Sequence, residues 1–518
     1  MQRKWWTLIV VSVATFMLLL DITVVNTALP AIEEDLNASF TELQWVIDAY
    51  TLALAALVLT AGSLADRLGR RRVFAIGLGI FSISSLAAGL APDPTFLNVA
   101  RAIQGIGGAI LFAVSLALVA QEFPAGRERG TAMGIYGATI GVSVAIGPLV
   151  GGALVDSLGW EWVFFINVPV GIAATAVTYA KLRESRDPNA TRVDWAGLAT
   201  FSSALFLLVF GLLRGNEEGW GSPMILGLLG GAVALLAAFV VIESRVKQPM
   251  LPLRLFSKPA FTGVQLAALG VSASMFALFL YLTFYLQNHL GHSPLEAGLI
   301  YLPFTVISFF VAAAGGALLA RVPARVLMSA GLGLTGLGLL LMGGINQADE
   351  WTTLLGGFLV AGAGVGLLNP VIADVALSVV PKEQSGMAAG INDTFRQVGI
   401  AVGIAAWGAI FLGRGASEVE RVAAGTPAAT GERPRQLIEA ASSGNLDDAT
   451  AAVPAGAREA VSDAAGQGLI AGLNDIVMLG GLVSLVAALA ALWLVRERDI
   501  EREAPVELAQ PVAEPVAA

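Results

Sequence analysis

Long apolar stretches separated by short polar ones repeat along the whole chain. They predict membrane-crossing helices over 7–29, 45–65, 73–91, 96–120, 131–155, 162–180, 195–213, 223–241, 261–286, 297–319, 326–343, 352–377, 385–411 and 469–495. None shows the two-residue alternation of a half-buried strand. Residues 413–468, rich in Ala, Gly, Ser and Pro, interrupt the series as a long outer loop, with room for short helices. Residues 499–518 read as a disordered tail, too poor in large apolar groups to fold alone.

Composition agrees with this pattern. Of 518 residues, 56% are apolar and 13% charged, where a soluble protein carries about a quarter charged. Fourteen crossings of about 20 residues need about 280 apolar positions, which this chain supplies. The first apolar run follows Arg3 and Lys4 without a small-residue cleavage site, so it is expected to be a retained helix. The fold class is therefore all-α integral membrane, and a soluble enzyme is excluded. There is no cysteine, and the two histidines, His289 and His292, are too few for a metal centre.

Charge orients the helices. Arg67, Arg70, Arg71, Arg72, Arg127, Arg129, Lys181, Arg245, Lys247, Arg254, Arg321 and Arg325 fall in alternate connections, whereas the intervening short ones carry acids such as Glu33 and Glu217 and a single cation, Arg214. Since Lys and Arg resist translocation, both termini are expected on the cytoplasmic side. The net charge of −9 says nothing of nucleic acid.

The two halves resemble each other. At an offset of 254, Gly62, Leu64, Arg67, Arg71 and Gly77 meet Gly316, Leu318, Arg321, Arg325 and Gly331. At 256, Gly134, Ile135, Gly147 and Gly152 meet Gly390, Ile391, Gly403 and Gly408. A duplication maps spans one to six onto nine to fourteen and leaves two inserted helices, as transporters built from repeated bundles would. The expected units are 1–190, an inserted pair at 191–255, and 256–498.

Five motifs then stand in order: Leu20-Asp21 through Pro30; Gly62, Asp66, Arg67, Gly69, Arg70 and Arg71; Arg101, Gln104, Gly105 and Gly107; Gly141, Gly147, Pro148, Gly151 and Gly152; and Trp160 through Gly171. Together the chain resembles the fourteen-span drug:proton antiporters of the major facilitator superfamily. The resemblance implies two six-helix bundles, export of small amphipathic, lipophilic or cationic molecules across the plasma membrane against inflowing protons, no cofactor beyond the gradient, and a functional monomer.

Asp21 lies about nine residues, about 13 Å, inside the outer end of its span, where a carboxylate is costly unless paired, hydrated or protonated. It is the candidate proton carrier, with a packing hydrogen bond as the alternative. Arg101 keeps its proton; the resemblance implies that it tunes Asp21, and a snorkelling interfacial arginine is the other reading. Asp48 is either a vestibule carboxylate or a boundary charge. Asp66 with Arg67, Arg70 and Arg71 is by resemblance an inner latch, and Ala320 replaces Asp66 in the repeat. Pro148 is expected to kink a glycine-rich helix at which the bundles rock, with Ile404 at the repeat position.

Asp393 and Arg396 either neutralise each other at their three-residue spacing or, with Asn392, line a substrate cavity. Asn26, Gln104 and Asn369 are further cavity candidates, Asp374 a weaker one. No phosphate-binding loop is present, so a gradient is the expected energy source. A dedicated exporter of one compound and a non-transporting scaffold remain open.

Overall fold

The computed structural model describes residues 2–123, 127–187, 193–319, 321–424, 427–431, 433–451, 453 and 455–500; the Ala320 replacement and residues 501–518 of the expected tail lie outside them. Among the described residues, fourteen long helices organise the chain: α1 (Arg3–Leu36), α2 (Phe40–Leu68), α3 (Arg70–Gly89), α4 (Pro94–Glu122), α5 (Arg127–Leu158), α6 (Trp162–Lys181), α7 (Trp195–Glu218), α8 (Pro223–Arg245), α9 (Pro259–His289), α10 (Leu295–Gly315), α11 (Ala324–Leu341), α12 (Trp351–Ser378), α13 (Ser385–Val422) and α14 (Ala455–Leu494). Among the described residues there is no strand, and thirteen of these helices are long and apolar enough to span a bilayer; α5, of 32 residues, matches them in length.

Local chemistry sets the helix ends. Ser39 and Glu42 form a reciprocal cap on α2, and Ser293 with Glu296 does the same one residue ahead of α10, at Pro294. Asp93, Asp194 and Ser222 cap α4, α7 and α8. Between α2 and α3 the chain turns at Gly69 with φ of 111°, a conformation that side chains other than hydrogen resist. Glu184, in the strand of chain after α6, accepts from the backbone N–H groups of Arg71 and Arg72 at 3.1 and 3.2 Å and so caps α3.

Packing follows two groups. In α1–α6, α1 lies on α4 and α5, α2 on α4, and α3 on α4 and α6. In α9–α14, α11 lies between α12 and α14, and α9 between α13 and α14. The groups meet along α2 with α13, α4 with α13 and α5 with α10, while α7 lies against both α2 and α13 and carries α8 outside it. Large apolar side chains cover the periphery, including Ile83, Val486, Leu489 and Trp493, the last 84% exposed. Such a coat is stable against hydrocarbon, not water.

Three expectations change. Residues 413–468 are mostly helical: α13 and α14 continue past the apolar zone, and helices Arg433–Ser443 and Leu446–Ala451 fold between them, burying Leu437 and Ile438. Ile438 fills the space left by Gly415 and Gly468. Asp48 lies eight residues into α2, not three, because capping starts that helix at Phe40. And α9 is not a regular α-helix, for it widens into π-turns at Ser272–Phe276 and Tyr285–His289. At the first of these the Trp407 indole donates to the Ala273 carbonyl at 2.6 Å.

Candidate functional site

Asp21 sits fifteen residues before the end of α1, about 22 Å at the helical rise. The helix runs on past the end of the apolar stretch, through Pro30 to Leu36. The Asp21 carboxylate is enclosed. Arg101 Nη1 donates to Oδ2 at 2.6 Å, and Gln104 and Asn167 donate their Nδ2 or Nε2 groups to Oδ1 at 2.9 Å from Asn167 and 2.8 Å from Gln104.

Arg101 is held in turn. Its Nη1 also donates to Gln104 Oε1 at 2.7 Å, its Nε to the Val46 carbonyl at 3.0 Å, and its guanidinium lies 4.3 Å from the centre of the Tyr50 ring. The α4 glycines make this possible: a methyl on Gly105 or Gly108 would run into Tyr50, and one on Gly107 into Phe81. Asp21, Arg101, Gln104 and Asn167 are all buried, so the charges lie where their attraction is strong and their desolvation costly. The shallow, snorkelling reading of Arg101 does not survive. Asn167 and its partner Ser85 were not singled out as site residues; a polar side chain inside an apolar span was the available signal for both.

The glycines Gly147 and Gly151 of α5 face α1, where a methyl would strike Thr23 and Thr27, about half a turn and just under two turns beyond Asp21. They therefore serve contact within one bundle, not the rocking interface expected of them. Gly141 and Gly152 meet nothing within 4 Å. Helix α5 continues through Pro148, whose side chain lies outside the described residues. The α5 glycines that do approach the other bundle are Gly134, beside Ala312 and Ala313 of α10, and Gly137, beside Asn369 of α12.

At the basic end, Asp66 accepts from the N–H groups of Gly386 and Met387 at 3.0 and 2.7 Å, on the first turn of α13. Arg70 binds the same carboxylate through Nε at 2.9 Å and reaches the Glu383 carbonyl at 2.9 Å. Gly62 lets the helices touch, since a methyl there would fall on the Gly386 carbonyl. Arg71 turns away toward Leu182 and Glu184, and Arg67 donates to the Pro249 carbonyl at 3.1 Å. Beside this latch lies a cavity of about 540 Å³ whose walls include Asp66, Arg67, Glu243 and Met387. On the other side of the seam Arg129 of α5 pairs with Asp374 of α12 at 3.4 Å, which makes Asp374 a cross-bundle tie.

A second polar cluster lies about 12 Å into α13. Asp393 and Arg396 form no ion pair with each other; Arg396 donates instead to Asn392 Oδ1 at 3.3 Å and Asn369 Oδ1 at 3.2 Å. Asn392 donates to Gln265 of α9 at 3.1 Å. The two charges still lie within each other's field, one turn apart on α13, but without direct contact, because two amide oxygens hold the guanidinium. Tyr136 of α5 lies within the field of Asp393, and it was not foreseen. Asn26 is exposed and joins neither cluster, and Asp48 is half-buried within the field of Arg214 and Glu217 on α7.

Two groups of six helices joined by an acid on a helix terminus have relatives among known proteins by sequence and by fold. Residues 11–404 match the family model described as Major Facilitator Superfamily. The chain belongs to the major facilitator superfamily. Members similar to it include the "Tetracenomycin C resistance and export protein" of Streptomyces glaucescens, 35% identical over 99% of this chain and 95% of that one. The "Puromycin resistance protein pur8" of Streptomyces alboniger is 37% identical over 78% and 81%. The "Multidrug resistance protein Stp" of Mycobacterium tuberculosis is 36% identical over 78% and 75%. The fold is shared with the human organic anion transporter MFSD10 (TETRAN), TM-score 0.62 at 15% identity, over 94% of this chain and 99% of that one. This major facilitator protein is thus a multi-span membrane transporter by family.

Proposed function

We propose that this protein exports amphipathic or lipophilic, in part cationic, small molecules across the plasma membrane in exchange for protons, using no cofactor and no enzymatic step. The two bundles, 1–190 and 256–498, rock about a central path, with 191–255 as an added pair and both termini in the cytoplasm, where the basic connections belong. The observation that carries the reading is the enclosed Asp21–Arg101 pair. An arginine that never loses its proton fixes a carboxylate that can gain one. Protonation of Asp21 removes the charge that Arg101, Gln104 and Asn167 all serve, so it releases α1 from α4 and α6 and lets α1 move.

The latch at Asp66 supports a state closed toward the cytoplasm. In that state protons reach Asp21 from outside, cargo leaves, and opening of the latch returns the cavity to the inner side. Full-length similarity to a protein named for export of tetracenomycin C favours a second reading, a narrow cargo on the same machinery.

Expression in a host deleted of its own pumps distinguishes them. Raised tolerance to several unrelated amphipathic compounds, abolished by a protonophore, is expected. Protection against one compound alone supports the narrow reading, and none that depends on the gradient refutes exchange.

A further inference from the structure

Two further buried acids lie at the basic end, on the inserted pair of helices. Asp194 caps α7, its Oδ1 accepting from the Gly197 N–H at 2.8 Å. Glu243 stands in the last turn of α8, its Oε1 accepting from the N–H groups of Met250 and Leu251 at 3.2 and 3.3 Å. Asp194 is 7% exposed and Glu243 4%. In each carboxylate one oxygen is thus satisfied by backbone, while the other, Asp194 Oδ2 and Glu243 Oε2, is buried without a hydrogen-bond partner among the described residues. Burying a charged oxygen in that way is costly.

The two side chains converge. A methyl on Gly197 would stand 2.5 Å from Asp194 Oδ2 and 2.9 Å from Glu243 Oε1, so both carboxylates crowd one point. The fixed charges around them do not balance. Arg67 of α2 lies within the field of both, but equally within that of Asp66 and Asp187, and it donates to the Pro249 carbonyl at 3.1 Å. Lys247 and Arg254, in the connection after α8, stand on the wall of the cavity that Glu243 and Arg67 also line, and the start of α13 presents the uncharged Gln384 and Met387 there. Like charges this close in a low-dielectric place do not both persist. One proton between the two unpartnered oxygens satisfies both with a single hydrogen bond.

We infer that Asp194 and Glu243 hold one proton between them, and that its loss frees residues 246–258 from the inserted pair. The step is a simple ionisation: one carboxyl O–H bond breaks, the proton passes to water through the cavity, and two carboxylates remain. Their repulsion parts the start of α7 from the end of α8 and draws Glu243 Oε1 away from Met250 and Leu251, in a stretch that Arg67 ties to α2 beside the Asp66 latch. The inference goes beyond the exchange reading. The pair lies on helices outside the two bundles and holds its proton whether or not Asp21 carries one.

The purified full chain in nanodiscs tests this without any cargo. Glu243→Gln keeps an oxygen for Met250 and Leu251 and sets an N–H in the place of the proton; Asp194→Asn does the same from the other side and still caps α7. Met250, 2% exposed, becomes the reporter as Met250→Cys in a chain with no other cysteine. Its maleimide labelling rate is compared with and without Glu243→Gln at the same pH, which cancels the ionisation of the thiol. The two rates should agree at pH 6, and toward pH 9 the chain that retains Glu243 should label faster, by up to about tenfold per pH unit for one lost proton. Melting without the reporter gives a second measure. A native state that holds an extra proton loses stability as pH rises, so the melting temperature of the wild type should fall between pH 6 and pH 9 by a few degrees more than that of either amide variant.

Equal labelling rates at every pH overturn the release of residues 246–258. Melting temperatures with the same pH dependence in all three chains overturn the shared proton, as does lower stability of both amide variants at every pH, which would mean that two full charges are held there. Because neither readout involves transport, both stand apart from the exchange itself. A wild type that behaves as predicted here but exchanges nothing for protons would remove the proposed function and leave the acid pair.

Discussion

The Asp66 carboxylate sits on the first turn of α13, 2.7 Å from the Met387 N–H, although 321 residues separate them along the chain. A helix N-terminus carries a partial positive charge and unpaired N–H groups, so the acid satisfies both at once and joins the bundles without a side-chain partner from the second. Arg70 then fixes the carboxylate from its own side. The acid thereby spans the seam, alongside the Arg70 contact to the Glu383 carbonyl and the Arg129–Asp374 pair.

Asp66→Asn should weaken the closed basic end. A charge at a helix terminus in a partly buried geometry contributes up to about 2 kcal/mol, and that amount changes an opening equilibrium by about thirtyfold. The chain has no cysteine, so a single cysteine at Ala389 reports opening through its maleimide labelling rate. Faster labelling in Asp66→Asn is expected; an unchanged rate would show that the ties at Arg70 and Arg129 suffice.

Gly62→Val should act on the same seam through volume, because its side chain meets the Gly386 carbonyl. Labelling at residue 389 should rise here too, with Gly79→Val, at a position with nothing within 4 Å, as the neutral control. Equal effects of the two substitutions would mean that close approach at Gly62 is not what holds the end closed.

Gly147→Ala presses a methyl into Thr23. Overpacking of this kind costs about 1–3 kcal/mol, so the melting temperature of purified protein should fall, and Thr23→Ala in the same chain should recover most of the loss. Independent, additive losses in the double variant would place the strain elsewhere.

Much of this arrangement was legible before any coordinates. Apolar runs gave the spans because hydrocarbon admits few alternatives, and the alternating basic connections gave their common end. Asp21, Arg101 and Asp66 stood out because a charge in an apolar helix is costly to keep. What the pattern could not convey was direction. Gly147 and Gly151 read as a flat surface, but which helix covers them depends on the rotation of α5, and α1 covers them. The same limit hid the engagement of Arg396 by Asn369, which lies 27 residues away on another helix. Helical extension through 413–468 was obscured because small residues pack as well around Ile438 as they loop.

Removing Arg101 isolates its partner. Arg101→Ala leaves Asp21 with two neutral donors and no cation, a change that costs about 3–5 kcal/mol for a buried pair. Arg101→Ala should therefore be less stable than the double variant Arg101→Ala with Asp21→Asn, by thermal unfolding in detergent. If the double variant is the less stable, the pair contributes net stability and does not act as a strained, releasable contact.

The central claim is that inward proton flow through Asp21 drives cargo the other way, and proteoliposomes with an acid lumen test it directly. Ethidium suits the measurement because a permanent cation does not partition by pH. The wild type should accumulate it in the acid lumen, and Asp21→Asn should only equilibrate it, with binding intact. Accumulation by Asp21→Asn at the wild-type rate, or none by the wild type under any imposed pH difference, would contradict the account.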